Sequence, residues 1–247
     1  MSSRPPRRSG PDRQRRRVAL ERAREQEQSR RRKERTIRLL AVLAVLVVVA
    51  GGTVFALVRS RTSTRGPYPA AATGPGGGIV IGPKTGKVAV LDIYEDFQCP
   101  FCAAFEKASG PAIQAAAAAG KLRVVYHPVS FLGQESVRAA NAAGCASDEG
   151  KYAAFHNALY AHQPAEGTGG YTLPDLINLG LSTGVSSASF AQCVTSMKYL
   201  GWVNAVQQNF DKSGYRGTPT VVLNGRQLSL TELQTPNFAG LLASATS

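Results

Sequence analysis

Cys99-Pro100-Phe101-Cys102 is the stretch of this 247-residue chain whose residue types and spacing point most directly to chemistry. Two thiols separated by two residues can bond to each other and can exchange that bond with an outside thiol. The motif lies where a β-prone run hands over to a helical one. That setting puts Cys99 at the helix N-cap and Pro100 at the first helical position, where its missing N–H costs nothing. Free backbone N–H groups and the positive end of the helix dipole then face the Cys99 sulfur. They stabilise a thiolate, lower its pKa and make it both a nucleophile and a good leaving group. Cys102, one turn further in, is expected to be the protected resolving thiol beside an exposed Cys99. Phe101, in the variable dipeptide, can tune the disulfide and offer an apolar contact to a substrate.

Other readings of the pair are weaker. Half of a zinc site needs two more ligands, and Cys145, Cys193, His127, His156 and His162 show no paired metal-binding spacing. No metal or organic cofactor is expected. A purely structural disulfide across one helical turn closes too short a loop to add much stability. The histidines read as side chains that satisfy local hydrogen bonds or face solvent.

The elements that must hold this pair follow from periodicity. Residues 88–94 are β-rich and apolar, as in a central strand. A helix is expected over 100–119, broken or kinked at Gly110-Pro111. Leu122–Tyr126 is a second strand, completing a βαβ unit. Helices near 134–146, 149–162, 174–182, 187–196 and 198–213 then form a helical insertion of about 134–213. Thr220–Leu223, Asn224-Gly225 and Arg226–Leu230 read as a β-hairpin. Thr235-Pro236 supplies an N-cap and first-turn proline for a last helix over about 236–244.

With both segments in view, Tyr94-Glu-Asp-Phe-Gln-Cys-Pro-Phe-Cys102, followed about 115 residues later by Gly217-Thr-Pro-Thr-Val-Val-Leu-Asn-Gly225, resembles the DsbA-like branch of the thioredoxin superfamily. The resemblance covers about residues 80–245. It implies an α/β thioredoxin fold with a helical insertion and thiol:disulfide oxidoreductase activity. It also implies a cis Pro219 packed beside Cys99, with Thr218 offering backbone groups to an extended substrate peptide. Relatives often carry a buried carboxylate six positions before the first cysteine, and here that position is Ile93. Asp92 should face the opposite side of the strand, so water or Glu95 is left as the acceptor of the Cys102 proton. Asp96 reads as a solvated loop charge.

The charge of the chain reports its address. There are 29 Lys and Arg against 16 Asp and Glu, a net +13, which for the whole chain would suggest nucleic acid. All thirteen net charges lie before Gly66, so no nucleic-acid partner is expected. Residues 1–38 read as a basic, disordered cytoplasmic tail. Residues 39–58 contain no charge and at about 1.5 Å per residue span roughly 30 Å, the length of a transmembrane anchor. Eight Lys and Arg precede this run within seventeen residues and three follow within seventeen, which places the N-terminus in the cytoplasm and the rest outside. Residues 59–78 read as a flexible linker, and 79–247 as the folded domain.

In that oxidising location the remaining cysteines, Cys145 and Cys193, favour a structural disulfide over two separate buried thiols. Closing their loop would add roughly 4 kcal/mol in the chain-entropy model. Together these readings lead to the expectation of a membrane-tethered, monomeric oxidase. Its clients would be unfolded or reduced exported proteins, its reoxidant a quinone-linked membrane partner, and its lipid contact the anchor. A reductase or isomerase of the same fold, or a non-catalytic binding module, are the alternatives.

Overall fold

The computed structural model describes residues 63–185, 187–234 and 236–247. The tail, the anchor and the start of the linker lie outside the described residues. Among the described residues no helix is long and apolar enough to cross a membrane.

The centre is a five-stranded sheet in the order β1-β3-β2-β4-β5. β2 (Ala89–Glu95) and β3 (Leu122–Pro128) run parallel, joined through α1 (Pro100–Ala118). β1 (Ile79–Ile81), β4 (Thr220–Leu223) and β5 (Arg226–Gln227) are antiparallel to their neighbours. The insertion follows as α2 (Gln134–Asp148), α3 (Tyr152–Ala161), α4 (Leu173–Ser182), α5 (Ala188–Thr195) and α6 (Leu200–Ser213), and α7 (Asn237–Thr246) closes the chain. This is a thioredoxin-like fold carrying a helical insertion.

Alternation along β2 sorts its side chains between two covers. Leu91, Ile93 and Glu95 are buried on one side, where Glu95 meets His156 of α3. Tyr94 faces the other, its ring 5.8 Å from that of Phe210 on α6. On the first side Phe105 of α1 packs edge-on against Phe238 of α7 at 5.3 Å. Trp202 and Phe210 of α6 and Tyr199 at its N-cap are buried, as their helical spacing suggests.

Four local expectations need correcting. α1 runs unbroken through Gly110-Pro111; the carbonyl that Pro111 leaves without its helical partner belongs to Lys107, on the exposed side. The hairpin turns at Asn224 and Gly225, both at positive φ, but its second arm is short: the strand covers Arg226–Gln227, with a last bond from the Leu228 N–H to the Val221 carbonyl. From Ser229 onward Glu232 takes over, accepting from the Ser229 N–H and hydroxyl. α7 starts at Asn237 with Pro236 in the cap position rather than inside the first turn.

The fourth concerns the linker. Its described part, residues 63–78, is seated on α6. The Trp202 indole donates to the Gly77 carbonyl at 2.8 Å, and the amides of Asn204 and Asn209 donate to Ser63 and Gly76. Ala72 bridges to Ile79, extending the edge strand. A Gly-rich segment has little apolar surface to bury, but its bare backbone lets donors on a neighbouring helix reach its carbonyls.

Candidate active site

The site is assembled where β2 ends. Asp96 closes a tight turn, with the Cys99 N–H donating to its carbonyl and the Gln98 N–H to its side chain. α1 then begins at Pro100 with Cys99 as its N-cap in extended conformation. The insertion fixes this turn from outside. Gln163 donates to the carbonyls of Phe97 and Cys99 at 2.8 and 3.1 Å, and the Tyr160 hydroxyl donates to the Asp96 carbonyl.

Asp96 is therefore not the solvated charge expected of a loop carboxylate. It is fully buried and accepts from Ser136 Oγ, Gln98 N and Leu132 N. Burial pushes its pKa up to about 6, against the lowering effect of those hydrogen bonds. Its role is to tie the turn before Cys99 to the segment that leads into α2.

The two cysteines are unbonded to each other. Cys99 is less open than expected, at 6 % exposed, because Thr218 and the loop around it cover its flank, while Cys102 is completely enclosed. Cys99 Sγ lies 3.4 Å from the Thr218 carbonyl, and the Thr218–Pro219 bond is cis. The Cys99 pKa falls to about 6: the Cys102 thiol contributes most, joined by Thr218 and the N–H groups of Cys102 and Phe101, against the opposing effect of burial. Cys102 is pushed well above the usual thiol range, first by burial and then by the neighbouring Cys99 and Glu95. The pair is thus split into one thiolate-forming sulfur and one that keeps its proton. Phe101, 73 % exposed, stands out beside it.

Glu95 ends β2 pointing inward and is fully buried. Its Oε1 lies 2.6 Å from Nε2 of His156. Burial disfavours a charged imidazole there, but the Glu95 charge and hydrogen bond outweigh it and raise the His156 pKa to about 9. This carboxylate, four residues before Cys99, is buried close enough for its charge to act on Cys102. Ile93, six before, packs in the core, and Asp92 turns away to His127 at 2.9 Å.

Two buried groups at the site were not singled out from the sequence. His156 does not face solvent: besides a local hydrogen bond to Asn157 Oδ1 it is the fully buried ion-pair partner of Glu95. Glu106, on α1, brings a second buried carboxyl to the same cluster: one polar atom each of Glu95, Glu106 and His156 lies within 4.8 Å of the other two. The only sequence signal for either was a charged residue at a position facing inward on a helix.

Cys145 and Cys193 form a disulfide between α2 and α5, across 48 residues of the insertion. Both cysteines are buried.

Comparison with known proteins covers most of the folded region. A family model described as thioredoxin matches residues 75–237. Among solved structures, MdbA, a thiol-disulfide oxidoreductase from Actinomyces oris, is 29 % identical with a TM-score of 0.64, covering 73 % of this chain and 93 % of that one. The reduced disulfide bond oxidoreductase DsbG from Mycobacterium tuberculosis is 28 % identical with a TM-score of 0.58, covering 70 % and 96 %. Oxidised DsbA from the same organism is 27 % identical with a TM-score of 0.56, covering 68 % and 100 %. A curated relative, the Na(+)/H(+) antiporter NhaA 3 of Salinispora tropica, is 27 % identical over 161 residues, 60 % of this chain. The chain spans only 22 % of that relative's length.

Proposed function

The chain belongs to the thioredoxin family across residues 75–237, and from that premise we propose that it introduces disulfides into exported proteins by exchange through Cys99 and Cys102. Its likeness to DsbA, DsbG and MdbA supports a thiol-disulfide oxidoreductase. The oxidising direction is carried by the setting of the sulfur: Cys99 caps α1, where the Cys102 thiol and the N–H groups of the first turn favour its thiolate. Whatever stabilises that thiolate stabilises the reduced enzyme, and so makes its disulfide a stronger oxidant.

The cycle starts from the Cys99–Cys102 disulfide. A substrate thiolate attacks the Cys99 sulfur; a substrate–Cys99 bond forms, the Cys99–Cys102 bond breaks, and Cys102 leaves and takes up a proton. Glu95 is the buried group on hand to carry that proton. A second substrate thiolate then attacks the substrate sulfur, forming the product disulfide and releasing Cys99 as its stabilised thiolate. Thr218 and cis Pro219 line the edge on which an extended peptide would lie, and Phe101 offers it an apolar contact. No metal or organic cofactor takes part. The enzyme works as a monomer, is reoxidised by a quinone-linked membrane partner, and is held outside the cytoplasmic membrane by residues 39–58, whose uncharged length and flanking charge asymmetry support that placement.

The deciding experiment equilibrates the Cys99–Cys102 couple with glutathione. A potential well above that of thioredoxin, about −270 mV, is expected. A value as low as thioredoxin's would assign the protein to reduction instead, and failure to exchange with a reduced, unfolded substrate would leave only a binding role.

A further inference from the structure

The exchange cycle leaves Glu106 without a task. Its side chain is buried on α1, at 6 % exposed, and neither carboxyl oxygen has a hydrogen-bond partner. Glu95 Oε2 and the hydroxyls of Tyr126 and Tyr152 are buried and unpartnered as well. These hydroxyls belong to the same place. Both tyrosine rings stand beside the His156 ring, at 4.6 and 5.7 Å, and the charges of Glu95 and Glu106 act on both. Five buried polar atoms around one imidazole thus lack a protein partner. Buried polar groups are nearly always satisfied, and a carboxyl this deep is costly without a counter-charge. The cluster calls for a cation.

Its donors fit a metal ion. One atom each of Glu95, Glu106 and His156 lies within 4.8 Å of the other two, a set of two carboxylates and an imidazole. Ligand atoms on one zinc ion stand about 3.4 Å apart at bonds of about 2.1 Å, so closing the three on an ion takes shifts on the order of 1 Å. The unbonded Glu106 carboxyl is free to move, and Gly110 leaves it the room: a Cβ there would stand 2.6 Å from Glu106 Oε2. The imidazole is held in place from behind. Its Nδ1 lies 3.2 Å from Asn157 Oδ1, and Asn157 is fixed in turn by paired amide bonds to Gln114, at 2.6 and 3.0 Å. An amide oxygen can only accept, so Nδ1 carries a hydrogen and Nε2 is the nitrogen left for a metal. The proton between Nε2 and Glu95 Oε1, 2.6 Å apart, is released when an ion binds. A dication then balances two carboxylates beside a neutral ring, leaving no net charge in the interior. A cleft of about 770 Å³ between α1 and α3, with Glu106, Gln114, Asn157 and Tyr160 in its wall, gives the ion a way in.

We propose that Glu95, Glu106 and His156 form a binding site for a divalent transition-metal ion, zinc being the ion that an imidazole and two carboxylates suit. Three protein ligands leave the fourth position of a tetrahedral ion to water from the cleft. The ligands come from β2, α1 and α3, so the ion fastens the helical insertion to the central sheet and to the reactive helix. Positions 95, 106 and 156 have no metal-binding spacing, which is why the sequence pointed to no metal. The exchange cycle runs with the site empty, because an ion takes up Glu95.

The test uses the full-length chain oxidised at Cys99–Cys102, so that with Cys145–Cys193 also bonded no thiol is left to bind metal. Zinc sulfate is the probe. Its binding is measured by competition with a chromophoric chelator at mildly alkaline pH, where protons compete least. The native chain is expected to bind one zinc ion in the micromolar range or tighter, and its unfolding midpoint to rise with zinc. Glu106→Gln and His156→Gln are expected to lose the binding. Two variants keep all three ligands and decide the question if those do not fold: Gly110→Ala, which pushes the Glu106 carboxyl aside, and Asn157→Ala, which removes the partner of Nδ1. Each is expected to bind zinc about 10–100-fold more weakly. No zinc held by the native chain, or native affinity in the variants, would overturn the site. The oxidised chain alone exchanges nothing, so either result leaves the exchange reading to its own experiment.

Discussion

Cys99 and Cys102 are the same residue type three positions apart, and their surroundings drive them in opposite directions. The Cys102 thiol and the N–H groups of the first turn lower Cys99 to about 6, while burial raises Cys102. Iodoacetamide applied to the reduced protein should therefore modify Cys99 alone. Its rate should be flat above about pH 6 and fall roughly tenfold per unit below it, as the thiolate fraction does. The sign for stability follows from the same shift. Cys99 has a folded pKa below its ordinary 9.0, so its contribution is complete above 9.0 and is lost as pH falls through about 6. Denaturant unfolding of the reduced chain should show that dependence, and Cys99→Ser should lack it. At this scale the sequence was legible where chemistry is local: two cysteines, a proline and a helix start lie side by side. It was not legible for His156, which meets Glu95 across 61 residues. Asp96 was misread because a loop carboxylate is solvated by default, and only the tertiary fold brings Ser136 and Leu132 to it.

The elements carry the site with little freedom. β2 delivers Glu95 inward, α1 begins at the reactive sulfur, and α3 supplies the imidazole. Period-two and helical patterns located these elements in the sequence because apolar burial writes itself into spacing. The seating of residues 63–78 left no such trace, since its partners are polar side chains far along the chain, as with Trp202 and Gly77, 125 residues apart. Gly201 is the position to probe. A Cβ there would stand 2.3 Å from the Arg65 carbonyl oxygen, a backbone atom that can yield only if the segment moves. Gly201→Ala is expected to lift this segment from α6 and to accelerate tryptic cleavage after Arg65 severalfold, while exchange at Cys99 stays at the native rate. Equal cleavage rates in the two proteins would show that the seating tolerates the methyl group.

For the molecule as a whole, the insertion behaves as a clamp on the thioredoxin-like core. It reaches the turn before Cys99 through Gln163 and Tyr160 and is itself fastened by Cys145–Cys193. Replacing both cysteines by alanine removes a cross-link over 48 residues. The chain-entropy model puts the cost at up to about 4 kcal/mol in the unfolding free energy. The measurement is urea unfolding under conditions that leave Cys99 and Cys102 reduced in both proteins; an unchanged midpoint would mean the helices alone hold the insertion. The even count of remaining cysteines made this bond legible, but the position of the clamp over the site was not, because helix packing directions do not follow from periodicity.

Phe101 stands 73 % exposed two residues after the reactive sulfur. An aromatic ring kept in water is stabilised by any apolar segment that covers it, by on the order of 2 kcal/mol for full burial. Loose apolar segments belong to chains that have not yet folded. A client acquiring its disulfide would withdraw those segments into its own core, uncovering the ring again. In an exchange cycle its departure would thus be timed by its own folding, and the enzyme would need no separate device to let it go.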